Sequence, residues 1–155
     1  MLLLVAAGSI SWLFRSDIEA AWYYVRALVE GRTGVVSVGS QTYRVEVVST
    51  ASELARGLSG RSKLWHGFGM LFVMPNEEHV TFWMKDMRFP LDIVWISQGM
   101  VAGVERNLPY PQAGTEPVLV GSPNVSYVLE VNEGDAANVF SADKAVLRLN
   151  EKRID

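Results

Sequence analysis

The sequence predicts a mainly β fold: a small β-sandwich or barrel of about seven to eight short strands, with a few short helices and an N-terminal helix. Two observations lead to this prediction. From Gly34 onwards, apolar and polar residues alternate in short runs with the period of two that is typical of half-buried strands. Glycine, proline and asparagine separate these runs at short intervals, as turns do in sandwiches and small barrels.

Composition limits the class of protein and of partner. The 155 residues are 49% hydrophobic and 20% charged, which fits a folded domain and excludes a disordered chain. We assign residues 34–155 to a single β-rich domain and residues 1–33 to the segment before it. The net charge of −3 argues against a nucleic-acid partner, which needs a basic surface. The lack of cysteine excludes disulfides, thiolate nucleophiles and cysteine metal sites.

An uncharged, apolar run occupies residues 1–14, MLLLVAAGSISWLF. A membrane-spanning helix needs about 20 apolar residues, whereas the apolar part of an export signal has roughly 7–15. We therefore expect an export or anchor signal, a periplasmic or extracytoplasmic location, and membrane association through residues 1–30. No basic residues precede the run. Either the true start lies upstream, or the run is an apolar arm of a cytoplasmic protein that packs on the domain or on a partner.

A helix is predicted directly after this run. Ser16 and Glu19 form a capping-box pattern, and Gly31 supplies a stop after Glu30. Apolar residues at spacings of three and four mark one face of this helix: Ile18, Ala21, Trp22, Val25 and Val29. Either the helix packs on the domain, or it is a juxtamembrane helix with aromatic residues at the membrane interface.

Two short elements open the β domain, and local signals predict both. The first is a hairpin, because alternating runs flank a Gly39-Ser40 turn. The second is a short helix, because the capping box of Thr50 and Glu53 is followed by a stop at Gly57. The predicted bounds are residues 36–38 and 43–47 for the two strands and 51–56 for the helix.

The rest of the chain reads as further strands joined by loops. A short strand is ended by Pro75 and followed by a polar loop over residues 76–79. Four prolines make residues 108–123 a loop, and residues 136–140 form one helical turn. The predicted strands cover residues 70–74, 81–85, 91–97, 100–106, 127–131 and 145–149.

Charged residues interrupt an aromatic, apolar stretch at residues 80–97, VTFWMKDMRFPLDIVWIS. If the strands on either side form a hairpin with Lys85 opposite Asp92, the two side chains share a face. A one-residue slip sends Asp92 to the other face. The pair is then either a structural ion pair, or two solvated side chains, or the polar part of a ligand pocket walled by Trp83 and Trp95.

A second group of charged residues surrounds the sequence GLSGR. Arg56 lies three residues after Glu53, so the two pair on the helix, or Arg56 presents its guanidinium to a carboxylate ligand. Arg61 is the last residue of the GLSGR sequence. The candidate ligand-binding residues are therefore Arg56, Arg61, Trp83, Lys85 and Asp92.

No motif specifies a reaction. His66 and His79 have no zinc-site spacing, the glycines form no phosphate loop, and no serine lies in a nucleophile elbow. We predict no metal and no cofactor, and the sequence leaves open whether the protein is an enzyme.

Four segments in order resemble one family: TASELARGLSGR, GMLFVMP, FWMKDMRFPLDIVWI and SPNVSYVLEVNEG. They are similar to the bacterial and archaeal family called domain of unknown function 192, over about residues 35–149. The resemblance implies a small all-β domain, often behind an export signal or lipoprotein anchor, and implies no reaction. Lys85 and Asp92 fit the family pattern, whereas positions 59, 86 and 87 depart from it.

These observations favour an exported or membrane-tethered domain that binds a small or peptidic ligand around Trp83, Lys85 and Asp92. One alternative is a hydrolase or lyase with Lys85 as base and Asp92 as the residue that orients it. The other is a purely structural or interaction domain in which these two side chains brace the fold.

Overall fold

The computed structural model describes residues 3–112 and 115–151, with side chains for residues 15–112 and 115–150. Within these ranges it contains seven strands and two helices, which confirms the predicted mainly β class. The elements in chain order are α1 (Leu3–Val29), β1 (Arg32–Val38), β2 (Gln41–Val48), α2 (Ala51–Arg56), β3 (Phe68–Trp83), β4 (Leu91–Ser97), β5 (Met100–Leu108), β6 (Leu119–Asn132) and β7 (Ala145–Glu151).

The seven strands form one sheet in the order β5-β4-β6-β3-β2-β1-β7. All neighbours are antiparallel except β2 and β3, which are parallel and are joined through α2. A bridge between Met100 and Lys144 connects the start of β5 to the residue before β7, and Val101 N donates to Asp143 O at 2.8 Å beside it. The sheet is therefore closed into a small barrel at this end.

Two clusters of buried side chains lie on opposite faces of the sheet. The interior cluster fills the barrel and includes Val36, Val38, Tyr43, Val45, Leu71, Val94, Ile96, Leu129 and Val131. The outer cluster lies under the segments that follow α2 and β3, and it includes Leu58, Met70, Phe72, Met84, Ile93, Trp95 and Val128. Because β4 is covered on both faces, its sequence is a nearly continuous apolar run rather than an alternating one.

Local turn and cap signals are confirmed. The register between β1 and β2 pairs Val38 with Gln41, which leaves Gly39 and Ser40 as the predicted two-residue turn. Helix α2 has the predicted bounds of residues 51–56. Its capping box is present in both directions, between Thr50 and Glu53.

The predicted start of the N-terminal helix is wrong. Helix α1 begins at Leu3 and passes through Ser16 without a break, so Ser16 caps nothing. The carboxylate of the next residue, Asp17, instead holds the helix against the domain. Asp17 Oδ1 accepts from Lys63 and, at 3.1 Å, from Trp65 Nε1.

Two predicted loops are also wrong, because β3 and β6 are longer than expected. The ladder between them shifts register between Val73 and Glu78 and again between His79 and Thr81. Pro75 lies in the first shift, where its missing N–H removes no ladder hydrogen bond, so the strand continues through it. Residues 76–79 thus belong to β3 and residues 119–123 to β6. Residues 136–140, predicted as a helical turn, form irregular turns.

The hairpin predicted around Lys85 is not formed, because β6 lies between β3 and β4 in the sheet. Asp92 pairs with Val131 of β6, and its side chain points to the interior face that it shares with Val94 and Ile96. The amine of Lys85 lies elsewhere, 5.3 Å from the ring centroid of Trp83. The ion pair between Lys85 and Asp92, one of the alternatives that the sequence left open, is therefore not formed.

The Asp92 carboxylate is instead a fully buried acceptor of backbone hydrogen bonds. It is 0% exposed, and its Oδ1 accepts from Asn107 N at 2.9 Å. Its Oδ2 accepts from Gly134 N at 2.9 Å and from Ala136 N at 3.0 Å. Three N–H donors compensate the loss of hydration of one carboxylate, and they join β4 to the end of β5 and to the turn after β6.

We expect Asp92→Asn to lower the free energy of unfolding by roughly 2–4 kcal/mol, because an amide NH₂ replaces an acceptor that faces buried N–H donors. Lys85→Met is the matched comparison and should change it by less than about 0.5 kcal/mol, since Lys85 is exposed. Urea denaturation followed by tryptophan fluorescence measures both. Equal losses in the two variants would contradict the separation of these side chains.

Candidate functional site

A narrow cleft opens between the segment that follows α2 and the outer face of the sheet. It encloses about 250 Å³ of empty space, of which about 20 Å³ admits the centre of a water molecule. That room suffices for one water, so a larger ligand requires a rim side chain to move. We call it the Glu130 cleft after the residue at its base, and its other principal lining residues are Arg56, Gly57, Phe72, Phe82 and Trp83.

Glu130 is a buried carboxyl group in an apolar setting. It lies on β6 between Met70 of β3 and Ile93 of β4, and it is 6% exposed. Within the described part of the chain its Oε2 atom has no hydrogen-bond partner. Burial raises the pKa of Glu130 to about 8, although the charge of Arg61 acts in the opposite direction. At neutral pH the group is therefore mainly protonated and neutral.

An unpartnered buried oxygen is costly, since leaving such a group without a hydrogen bond costs about 1–3 kcal/mol. Folded proteins contain few of them, and many mark a ligand, a water or a catalytic role. Trp95 Nε1 is a second buried polar atom without a partner among the described residues. Unlike Glu130, Trp95 does not line the cleft.

Gly57 places no side chain beside the carboxyl group. Its φ of +49° ends α2 in a conformation that residues with a side chain rarely adopt. A Cβ atom at this position would lie 3.2 Å from Phe72 Cζ and 4.0 Å from Glu130 Oε2. The helix stop therefore also keeps the space above Glu130 free of a side chain.

The rim of the cleft joins two segments that are distant in sequence. Ser59 Oγ donates to Lys85 O at 2.8 Å, and Gly60 N donates to Asp86 O at 2.9 Å. These bonds hold the GLSG segment against the residues that follow β3. Trp83, which lies at this junction, is 49% exposed.

Three of the five sequence-predicted residues meet at this rim. Arg56 and Trp83 both line the cleft, Arg56 is exposed, and the Lys85 amine lies over the Trp83 ring. The rim therefore carries two cations and one aromatic side chain above a neutral acid.

The other two predicted residues have internal partners. Asp92 holds backbone amides inside the barrel, as described above. Arg61 is 9% exposed, and its Nη2 donates to Glu46 Oε2 at 2.7 Å. Its guanidinium carbon also lies 4.2 Å from the ring centroid of Tyr23 on α1. Arg61 is thus a buried contact between the sheet and α1.

The sequence reasoning missed Glu130. Its strand was predicted, but Glu130 itself was not singled out. A signal was available: the segment YVLEV has apolar residues on both sides of the glutamate, as in a strand that is buried on both faces. Glu130 is buried only because other segments cover the outer face of the sheet.

The histidines form no metal site in the part of the chain that the structure describes. No group of three or more metal-ligating side chains of His, Asp or Glu occurs there. His66 instead pairs with Asp135, with 2.6 Å between Nδ1 and Oδ1.

Comparison with known proteins finds one family and two similar structures. The model of the family DUF192, described as "Uncharacterized ACR, COG1430", matches residues 34–145. A structure of a protein of unknown function from Novosphingobium aromaticivorans DSM 12444 has 30% identity and a TM-score of 0.65 over 74% of this chain and 84% of its own. A putative transcription regulator from Sinorhizobium meliloti 1021 has 26% identity and a TM-score of 0.66 over 74% and 92%. Comparison with curated proteins gives no match.

The raised pKa of Glu130 predicts how stability depends on pH. The unfolded chain releases this proton near the ordinary pKa of 4.5, whereas the folded protein keeps it to about pH 8. Stability should therefore fall as pH rises between these values, by up to roughly 1.4 kcal/mol per pH unit. In Glu130→Gln we expect the free energy of unfolding to lose this dependence on pH.

Urea denaturation at several pH values between 5 and 8 measures the slope. The exposed Glu78→Gln is the matched control and should keep the slope of the unmodified protein. An identical slope in Glu130→Gln would show that the buried carboxyl is already ionised in this range.

Proposed function

The chain belongs to the DUF192 family, and we propose that its domain binds a small or peptidic ligand in the Glu130 cleft, with Arg56, Trp83 and Lys85 at the rim. The observation that carries this proposal is the buried Oε2 atom of Glu130, which lacks a partner among the described residues and lines an open cleft. A ligand that hydrogen-bonds to this group would offset the cost of burying it.

The cleft indicates the chemistry of the ligand. Its walls are apolar, with Leu58, Phe72 and Phe82 facing the space above the carboxyl group. A protonated carboxyl donates one hydrogen bond and accepts others, so it suits a carbonyl, hydroxyl or amide group. The cations at the rim favour a ligand with an anionic group, such as a carboxylate.

The half-exposed Trp83 is the part of the rim that can move. Its indole is not enclosed by the core, whereas Phe72 beneath it is buried. Rotation of Trp83 would widen the cleft without opening the outer cluster. In this proposal, ligand entry requires only the rotation of the Trp83 side chain.

The alternative of a hydrolase or lyase built on Lys85 and Asp92 has lost its support. Both oxygens of Asp92 accept backbone hydrogen bonds, and the Lys85 amine lies beside Trp83. A role in transcription, as named for the Sinorhizobium protein, is not proposed for this chain, because a net charge of −3 does not favour a nucleic-acid partner.

We also propose that the domain is exported or membrane-tethered through residues 1–30. What supports this is the uncharged run of residues 1–14, of which residues 3–14 continue into the rest of α1 as one helix. None of the helices in the described residues is long and apolar enough to cross a bilayer.

Ligand binding is tested with the full chain and variants of the cleft. Native mass spectrometry detects a co-purified small molecule, and thermal shift with small apolar carboxylates and peptides follows where none co-purifies. We expect Trp83→Ala and Glu130→Leu to weaken binding at least about tenfold, because the first removes an aromatic contact and the second removes the hydrogen-bonding carboxyl group, each worth more than roughly 1.4 kcal/mol.

Arg148→Ala removes an exposed cation on β7 and is the matched control, with unchanged binding expected. Absence of any ligand, or a ligand whose affinity is the same in both cleft variants, would exclude the Glu130 cleft as the site.

Location is tested by fractionating cells that express the chain with a C-terminal tag. We expect the protein in the membrane or extracytoplasmic fraction, because of its apolar N-terminal run. Removal of residues 1–14 should release it into a soluble fraction. Recovery of the full chain wholly in the cytosol would contradict the proposed tether.

A further inference from the structure

One face of α1 is apolar and uncovered. Of the twelve large apolar side chains that are exposed in the described part of the chain, five lie on this helix. Ile18 and Trp22 are 69% and 65% exposed, and Val29 is 69% exposed. The spacings of four, three and four residues place most of them along one line. We call Ile18, Trp22, Val25, Leu28 and Val29 the outer stripe.

The opposite face of α1 makes the contact with the domain. The rings of Tyr24 and Phe68 meet edge to face with 4.9 Å between centroids, and Tyr23 lies under the Arg61 guanidinium. Ala27, one residue from the stripe, is 1% exposed. Helix α1 therefore packs on the domain, as one of the two predicted alternatives states, but it does so through tyrosines and alanine, and the stripe faces outwards.

The carboxylates of Asp17 and Glu19 on α1 also accept hydrogen bonds from the domain. Asp17 accepts from Lys63 and Trp65. Glu19, which borders the groove beside the stripe, accepts from Ser62 Oγ at 2.6 Å. Asp17 and Glu19 are thus engaged by the domain, and Glu30, next to Val29, is paired with Arg26 and Arg32.

Positive charges border the outer stripe. Arg15 and Arg88 line the same groove as Ile18 and Trp22, and both arginines are exposed. Arg26, one turn further along the helix, is paired with Glu30, with 2.8 Å between Nε and Oε1, so the cations that border the stripe are Arg15 and Arg88. An apolar strip with cations at its edge is complementary to an anionic lipid surface, which takes apolar side chains below its headgroups and cations among them.

The apolar sequence that precedes the outer stripe in α1 also favours a lipid surface as its partner. Helix α1 runs unbroken from Leu3 to Val29, and residues 3–14 contain no charged residue. The outer stripe therefore prolongs an apolar segment rather than forming an isolated patch. Trp22 also suits the headgroup level of a bilayer, where indole rings concentrate.

We infer that the outer stripe docks on the surface of an anionic bilayer and holds the β domain against it through α1. This inference rests on the membrane tether of the proposed function and adds which face of the protein contacts the lipid. Ligand binding in the Glu130 cleft is independent of it.

The test measures binding of the full chain to vesicles of phosphatidylcholine, with and without phosphatidylglycerol. The variant Ile18→Gln/Trp22→Gln changes only exposed positions, so it should fold normally. We expect it to bind mixed vesicles at least about a hundredfold more weakly, since burial of each large apolar side chain contributes roughly tenfold. Binding of the unmodified chain should need the anionic lipid and weaken with salt.

The control Leu119→Gln/Phe140→Gln removes two equally exposed apolar side chains outside α1 and should bind as the unmodified chain does. Vesicle binding that survives in the α1 variant overturns this inference but leaves the tether through residues 1–14. No vesicle binding by the unmodified chain overturns both. A dimer in light scattering that only the α1 variant loses, with vesicle binding unchanged, assigns the stripe to a second copy and overturns the inference.

Discussion

The hydrogen bonds that Asp92 accepts hold the barrel together. A fully buried carboxylate is tolerated only where donors replace its lost hydration, and Asn107, Gly134 and Ala136 supply three backbone N–H groups. The turn that Asp92 holds contains Asp135, which in turn binds groups from the other side of the barrel: the Tyr43 hydroxyl, Gly67 N and His66 Nδ1. One aspartate thereby connects β4, β5 and the turn after β6, and through that turn β2.

Glu130 differs from Asp92 in its hydrogen bonding although both carboxyls are buried on neighbouring strands. Asp92 points into the barrel, where turn amides converge on it. Glu130 points to the outer face, where it is surrounded by apolar side chains and its Oε2 meets no donor among the described residues. Its raised pKa is the physical consequence, since a carboxyl without compensating donors keeps its proton. Asp92 therefore stabilises the fold, whereas Glu130 is the group that we propose binds a ligand.

Both proposed contact surfaces involve a segment that covers the sheet. The end of α2 and the residue after it shape the cleft through Arg56 and Gly57, and the sheet contributes Glu130 and Trp83. Helix α1 covers part of the sheet with Tyr23 and Tyr24 and presents the outer stripe to its surroundings. The cleft thus combines residues of the sheet with the segment that covers it, whereas the outer stripe belongs to α1 alone.

The sequence by itself determined what depends on neighbouring residues: the Gly39-Ser40 turn, the capping box at Thr50, the helix stop at Gly57 and the existence of β4. It also marked Arg56, Trp83 and Lys85, which meet at the rim. Only the tertiary structure decided the partner of Asp92, the burial of Glu130 and the outward direction of the α1 stripe. Strand order and the covering of a sheet face arise from contacts between residues far apart in the chain, and local patterns carry no information on them. The insertion of β6 between β3 and β4 therefore separated Lys85 from Asp92, although only six residues lie between them in the sequence.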